Sequence, residues 1–306
     1  MTKVLVATEK PFAPAAVEQI KAELDKAGFE FSLFEKYSGQ AELIEAVKDA
    51  DALIIRSDKI TPEVIEAAKN LKIVVRAGAG FDNVNLEAAT ANNVVVMNTP
   101  GQNSNAVAEL ALGLMVFQAR NQFTPGSGTE LKGKKLGIHA YGNVGRHVAR
   151  IAKGFDMEVY AFDPFIPKES MEAEGVIVCD SAEEMYEVCE YISLHIPAND
   201  KTKQSINYKL LSLMKDRATI INTARKEVIN EDDLVKIFED KNGFNYLSDI
   251  APVNAEVLNE RFPGRCFFTP KKMGAQTAEA NVNAGIAAAK QIIQFIQKGD
   301  TTFKVN

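Results

Sequence analysis

The residues best placed to do chemistry begin with a turn, Tyr141-Gly142-Asn143-Val144-Gly145, and an acid, Asp163, eighteen positions past the last turn glycine. The turn lies between two short runs that read as buried strands, Leu136–Ala140 and Glu158–Phe162, with a helix over Arg146–Phe155. A strand, a glycine turn, a helix and a second strand ending in an acid form the layout of a dinucleotide site. Gly142 lets backbone approach a pyrophosphate, Gly145 lets helix pack on strand, and the free N–H groups at the helix start receive the phosphates. Asp163 is placed to accept hydrogen bonds from the adenosine ribose and to repel a 2′-phosphate, which favours NAD over NADP. The first glycine of the usual G-x-G-x-x-G pattern is Ala140 here, and the turn is expected to hold if its φ stays negative.

A second group of residues suits a small anion. Arg225 follows the strand Thr219–Asn222, at the carboxyl edge of a parallel sheet where ligands bind. A guanidinium fork matches a carboxylate and keeps its proton. Arg56 and Arg76 each end an apolar strand, so both should emerge along one edge. Beside them lie the turn Gly78-Ala79-Gly80 and a helix start after Asn103-Ser104-Asn105, an arrangement suited to phosphate and carboxylate. Three histidines and three cysteines form no metal-ligand cluster, so no metal is expected, and the cysteines read as buried thiols of a reducing compartment.

The elements that must position these groups alternate along the whole chain. Strands are expected at Val4–Ala7, Phe29–Phe34, Ala52–Arg56, Ile73–Arg76 and Val94–Met97, with helices at Pro14–Ala27, Gln40–Ala50, Thr61 to about Asn70, and Leu86–Asn92. A polar hinge, Asn98–Asn105, leads into a long uncharged helix over Ala106–Arg120, and Gln122–Gly133 reads as a loop. Beyond the glycine turn, strands are expected at Val176–Cys179, Tyr191–Ile196, Thr219–Asn222, Asn245–Ser248 and Cys266–Thr269. Helices are expected at Ala182–Cys189, Tyr208–Leu213, Glu231–Asp240 and Glu279–Gln297. Such alternation specifies an α/β fold of two doubly wound parallel-sheet domains. The last helix follows a complete second sheet and is expected to return to the first domain. That makes 1–98 and 277–306 a discontinuous substrate domain into which a Rossmann-type NAD-binding domain, 99–276, is inserted, with the active site in the cleft.

Composition bounds the rest. Of 306 residues, 46% are hydrophobic and 25% charged, as in ordinary globular proteins, and a net charge of −6 argues against a non-specific nucleic-acid binder. The opening MTKVLVATEKP reads as a first strand rather than a signal peptide, and Ala106–Ala119 is too short to span a bilayer. A cytoplasmic protein without nucleic-acid or membrane partners is expected.

Four stretches carry a family resemblance: VVRAGAGFDNVNLEAA (74–89), VMNTPGQNSNAVAELALGLM (96–115), LKGKKLGIHAYGNVGR (131–146) and INTARKEVINEDDL (221–234). In this order and spacing they make the whole chain resemble the D-isomer-specific 2-hydroxyacid dehydrogenases, and within them the short forms that act on 3-phosphoglycerate. The resemblance implies that Arg225 grips the substrate carboxylate and polarises the carbon bearing the hydroxyl. It implies that Arg56, Arg76, Ala79, Asn103 and Ser104 hold the substrate's phosphate and carboxylate. For NAD it adds Asn143 and Val144 at the pyrophosphate, Ile196, Pro197 and Thr202 near the adenosine, and Thr223 and Asp249 by the nicotinamide, and it counts Gly274 with Gly142, Gly145 and Asp163 among the cofactor-binding residues. It further implies a homodimer joined through the cofactor domain.

The chain departs from the family in two linked places. The family's catalytic histidine lies in a P-H-I-G-A-S-T context, and here the text reads Pro270-Lys271-Lys272-Met273-Gly274-Ala275-Gln276-Thr277. Anchoring on Met273-Gly274-Ala275 puts Lys272 in the histidine's place, with Lys271 as the adjacent candidate. The acid that orients the histidine falls at Asn254, and the nearest acid is Glu256. Losing both together is coherent, because an imidazole needs a carboxylate to hold and charge it whereas a lysine does not. A lysine at its ordinary pKa of about 10.4 is a poor base at pH 7, so Arg225, the nicotinamide cation and burial are expected to lower it. Lys226 and Glu227 also replace the glycine pair that follows the family's arginine. The expected activity is NAD-dependent oxidation of 3-phospho-D-glycerate to 3-phosphohydroxypyruvate, a step toward serine. The alternatives are a glyoxylate or hydroxypyruvate reductase, or an NAD-sensing, corepressor-like binding protein without turnover. Only about nine residues follow the last helix, so no C-terminal regulatory domain is expected.

Overall fold

Short, largely apolar runs become the central strands, buried on both faces because helices cover both sides of each sheet. Ala52–Ile55 and Thr219–Asn222 are buried at every position. The computed structural model describes residues 1–306 and divides into two compact units, Met1–Asn103 with Gln276–Asn306, and Ser104–Ala275.

The first unit runs β1 (Lys3–Thr8), α1 (Pro14–Lys26), β2 (Glu30–Glu35), α2 (Gln40–Ala46), β3 (Ala52–Ile55), α3 (Pro62–Ala67), β4 (Ile73–Arg76), α4 (Leu86–Ala91) and β5 (Val95–Asn98). Its sheet has the order β2-β1-β3-β4-β5, parallel throughout. Two helices stop short of expectation. In α2 the chain tightens after Ala46, with Ala50 N donating to Val47 O, and α3 ends where Ala68 leaves helical geometry at ψ 72°. Residues 99–103 belong to this unit, tied back by Thr99 N donating to Gly78 O at 2.9 Å.

The second unit opens with a buried helix, α5 (Ser104–Ala119), so the expected hinge is already helical at Ser104 and Asn105. A 3-10 turn over Asn121–Phe123 follows, with positive φ at all three residues. Then come β6 (Lys135–His139), α6 (Asn143–Gly154), β7 (Glu158–Phe162), α7 (Lys168–Ala173), β8 (Ile177–Val178), α8 (Ala182–Val188) and β9 (Tyr191–Leu194). The unit closes with α9 (Tyr208–Leu211), β10 (Thr219–Asn222), a 3-10 turn Lys226–Val228, α10 (Glu231–Asp240), β11 (Asn245–Ser248), α11 (Ala255–Arg261) and β12 (Cys266–Phe268). The seven strands are parallel in the order β12-β11-β10-β9-β6-β7-β8. The order reverses between β6 and β9, and ligands of such sheets sit outside the carboxyl ends at that switch. The three cysteines are free and buried.

The last helix, α12 (Ala278–Lys298), starts on a Thr277 cap and ends at Gly299 in the left-handed region. It belongs to the first unit and packs on α1, β3 and β4. Gly285 is what lets it approach, since a Cβ there would lie 2.7 Å from Ile20 Cδ1. Beyond it, Lys304 forms an antiparallel bridge with Met97, and Asn306 Oδ1 accepts from Val96 N at 2.8 Å.

Candidate active site

In the second unit the residues singled out for the cofactor follow the carboxyl ends of successive strands. Gly142 to Gly145 follow β6, Asp163 follows β7, Ile196 and Pro197 follow β9, Thr223 follows β10, Asp249 follows β11 and Gly274 follows β12. The helix α6 begins at Asn143, three residues earlier than expected, with Gly142 as its N-cap. No side chain caps it, so the first-turn N–H groups at the exposed Gly142–Asn143 corner are left uncapped, which suits an anion. Gly142 has nothing within 4 Å of where a Cβ would stand, whereas a Cβ on Gly145 would lie 2.5 Å from Ala140 O and 3.0 Å from Ile138 Cγ2. One glycine therefore leaves room for a ligand and the other makes room for the strand.

Ala140 does not behave as expected. Its φ is +78°, the left-handed value that the family's glycine adopts freely and that a methyl group resists. The turn keeps this geometry because Ala140 N extends the ladder to Phe162 O at 2.9 Å while Gly145 closes in on Ala140 O. Replacing Ala140 with glycine should relieve the strain by about 1 kcal/mol, net of glycine's extra unfolded-state freedom. For a unit of this size thermal unfolding should shift upward by about 2–4 °C. An unchanged or lower Tm would show that the strain is absent.

Asp163 is half-buried and tied to backbone, accepting from Tyr141 N and from Phe165 N, each at 2.8 Å. These bonds fix the carboxylate beside the glycine turn and leave lone pairs for further donors. Thr202 Oγ1 accepts from Asn199 N at 2.8 Å and donates to Pro197 O, which folds the loop after β9 into a tight turn. Thr223 Oγ1 is buried without any partner in the protein, an exception that asks for a ligand.

Beneath the glycine turn lie two histidines the chemistry does not use. His139 ends β6 and meets the Tyr186 hydroxyl at 3.1 Å, and His195 meets Ser193 Oγ at 2.9 Å. Burial pushes His139 down to about 4, and burial with the neighbouring His139 pushes His195 down to about 3. Both are neutral near pH 7. Because the unfolded chain takes up these protons first, their contribution to stability is complete above about pH 6.5 and is lost as pH falls through about 4. Unfolding midpoints measured from pH 7.5 down to 4.5 should fall, and the fall should shrink in His195→Gln. A flat wild-type profile would contradict this.

Arg225 and Lys272 are brought together. Arg225 Nη1 donates to Ala224 O at 3.0 Å, and Lys272 Nζ donates to the same oxygen at 3.1 Å. Arg225 is exposed and forms no ion pair. Lys226 and Glu227 enter the 3-10 turn without positive φ, so losing the glycine pair strains nothing. Lys272 is exposed, against the expectation that burial would help to lower its pKa, because its loop leaves the edge strand β12. That loop is held from below. The carboxylate of Asp249, 1% exposed, accepts from Met273 N at 2.6 Å, Gly274 N at 2.8 Å and Thr269 Oγ1 at 3.2 Å. Gly274 is needed there, since a Cβ would lie 2.8 Å from Asp249 Oδ2. Asn254 turns toward α10, with its N–H on Glu231 Oε2 at 3.0 Å, and Glu256 is exposed on α11.

In the first unit Arg56 and Arg76 are neighbours at the carboxyl ends of β3 and β4, with Arg76 Nε donating to Arg56 O at 3.0 Å. Arg56 is more committed than expected. Its guanidinium donates to Lys10 O, Pro11 O and Asn281 Oδ1 and lies over the Phe12 ring. Arg76 occupies the space above Gly78, where a Cβ would collide with Nη1, and Ala79 is exposed beside it with its carbonyl on Asn98 Nδ2. Asn103 closes this unit and Ser104, 2% exposed, opens the other. Sequence reasoning missed Asp58, a buried acid that accepts from Glu9 N, Tyr37 OH and Arg56 N, and Asn281, which anchors Arg56. An acid two residues after a strand-end arginine was the available signal for Asp58.

Comparison with known proteins decides the family. The model of the D-isomer specific 2-hydroxyacid dehydrogenase NAD binding domain matches residues 112–262. A hydroxypyruvate reductase of Thermotoga maritima is 34% identical over 272 residues, covering 83% of this chain and 87% of the relative. The chain belongs to the D-isomer-specific 2-hydroxyacid dehydrogenases. Among other members, D-3-phosphoglycerate dehydrogenase of Methanocaldococcus jannaschii is 38% identical over 273 residues, covering 82% of this chain and 51% of that protein. The chain thus spans about half the length of the curated phosphoglycerate dehydrogenases it matches. The crystal structure of NAD+-bound 3-phosphoglycerate dehydrogenase from Entamoeba histolytica is 47% identical, covers 100% of this chain and 98% of its own, and superposes with a TM-score of 0.87. The family's NAD-binding domain is present, and the uncapped α6 corner, the open space at Gly142 and the orphaned Thr223 hydroxyl all fit that cofactor. No helix is long and apolar enough to cross a membrane.

Proposed function

We propose that the protein oxidises 3-phospho-D-glycerate to 3-phosphohydroxypyruvate with NAD, a step toward serine, and works in the cytoplasm as a homodimer. The observation that carries this reading is the 47% identity, over essentially the full length of both chains, to the NAD+-bound 3-phosphoglycerate dehydrogenase of Entamoeba histolytica. NAD, when bound, supplies the hydride acceptor for the carbon that bears the hydroxyl. The uncapped start of α6 takes the pyrophosphate and Asp163 the adenosine ribose. Arg225 holds the substrate carboxylate with its fork and stabilises charge on the adjacent oxygen. Lys272 moves the hydroxyl proton, accepting it as a neutral amine in oxidation and donating it as an ammonium in reduction. Arg76, with the Gly78–Ala79 turn, takes the phosphate end, and Arg56 braces it through the carbonyl that accepts from Arg76.

The test is NADH formation dependent on 3-phosphoglycerate, measured across pH. A second reading, reduction of hydroxypyruvate or glyoxylate, is favoured by the Thermotoga maritima relative, of which the match covers 87%. Turnover of unphosphorylated keto acids alone would replace the first reading with the second. NAD binding without turnover of either substrate would reject both.

A further inference from the structure

The side chain of Asn222 is hydrogen-bonded to the turn whose carbonyl receives both catalytic candidates. It ends the strand Thr219–Asn222 as an amide only 1% exposed. Its Oδ1 accepts from Ala224 N at 3.0 Å, and its Nδ2 donates to Arg225 O at 3.0 Å and to the Tyr246 hydroxyl at 3.2 Å. Its own carbonyl accepts from Asp249 N at 2.9 Å and from Ser248 Oγ at 3.1 Å. Only one orientation of the amide satisfies these partners, because Ala224 offers an N–H and Arg225 a carbonyl. The side chain thereby shapes the residues between them into a turn that presents the Ala224 carbonyl. That carbonyl is the oxygen to which both Arg225 Nη1 and Lys272 Nζ donate.

We infer that Asn222 is a positioning residue for the dehydrogenase reaction: by fixing the Ala224–Arg225 turn, its side-chain amide sets the substrate-gripping arginine and the proton-moving lysine relative to one another. This rests on the roles proposed above for Arg225 and Lys272. No other side chain of this size serves. An ionised aspartate cannot donate to Arg225 O, leucine makes neither bond, and serine is too short to bridge both. Tyr246 holds the amide from the far side, and its hydroxyl has no need to touch substrate or cofactor to matter.

The experiment compares wild type, Asn222→Ala and Tyr246→Phe for kcat and KM with 3-phosphoglycerate and with hydroxypyruvate, for NAD affinity by calorimetry, and for Tm. In Asn222→Ala, kcat/KM should fall by about 100-fold, the scale of an ångström-sized misplacement of reacting groups, while NAD affinity falls far less, by about tenfold at most, because Thr223 is the one proposed cofactor contact inside this turn. Tyr246→Phe keeps the ring and should lose activity in the same direction but by less, with NAD affinity again falling less than activity. If Asn222→Ala does not fold, Tyr246→Phe decides by the same split between turnover and NAD affinity. Unchanged kcat/KM in a folded variant, or NAD affinity falling in step with activity, would overturn the inference. A wild-type protein that turns over neither substrate would overturn the proposed function and this inference with it, whereas active wild type with unimpaired variants overturns the inference alone.

Discussion

Lys272→Ala should lower kcat by about 10²- to 10⁴-fold while NAD affinity stays near that of the wild type. That range is what a positioned acid/base contributes to a proton transfer. The split is expected because Lys272 touches Ala224 O beside the proposed substrate-gripping Arg225, whereas the groups fitted to the pyrophosphate and ribose lie after β6 and β7. Its loop is held through Met273 N, Gly274 N and Thr269, so removing the amine leaves the Asp249 clamp intact and Tm should move little. Stopped assays of turnover beside calorimetric titration of NAD would settle it. Undiminished kcat would transfer the role to Lys271, which is also exposed on the same loop.

The two turn glycines should fail in opposite ways. Gly145→Ala puts a methyl 2.5 Å from Ala140 O, a backbone atom that cannot step aside, so α6 must lift from β6. Overpacking of this kind costs about 1–3 kcal/mol, and here it also disturbs the residues proposed to meet the pyrophosphate. Gly145→Ala should therefore lower Tm by several degrees and abolish measurable NAD binding. Gly142→Ala meets nothing within 4 Å and should leave Tm unchanged. It should still weaken NAD by about tenfold or more, because the methyl occupies the space through which phosphate approaches backbone. Equal effects of the two substitutions on Tm would show that the glycines share one role.

How far the molecule can be read from its residues depends on the kind of signal. The strands Glu158–Phe162, Thr219–Asn222 and Asn245–Ser248 and the helix Glu231–Asp240 appear in the structure at the bounds their patterning implies. Each is a buried or clearly striped run between polar turns. The short helices α7 and α11 are invisible at that level, because each buries a single large apolar residue, Met171 or Leu258, and carries no stripe. In the site, the glycine turn and strand-end arginines are legible because backbone room and charge are properties of residue type. The committed state of Arg56, the clamp made by Asp249 and the amide of Asn222 are not. Each depends on hydrogen bonds to partners that only the fold brings near. Ala140 shows the opposite limit: its φ is set by neighbours on β7 and α6 that override what alanine prefers.

The path of the chain through the first unit has a consequence for biosynthesis. Ala284, Ala288, Ala289 and Ile292 of α12 complete the core that begins with Val4, Val6 and Ile20, and Asn306 closes the margin of β5. Residues 276–306 are translated only after all of Ser104–Ala275, which is continuous and holds its own core. The segment that emerges first must therefore wait, its β3–β4 surface uncovered, while the later-made unit is already able to fold.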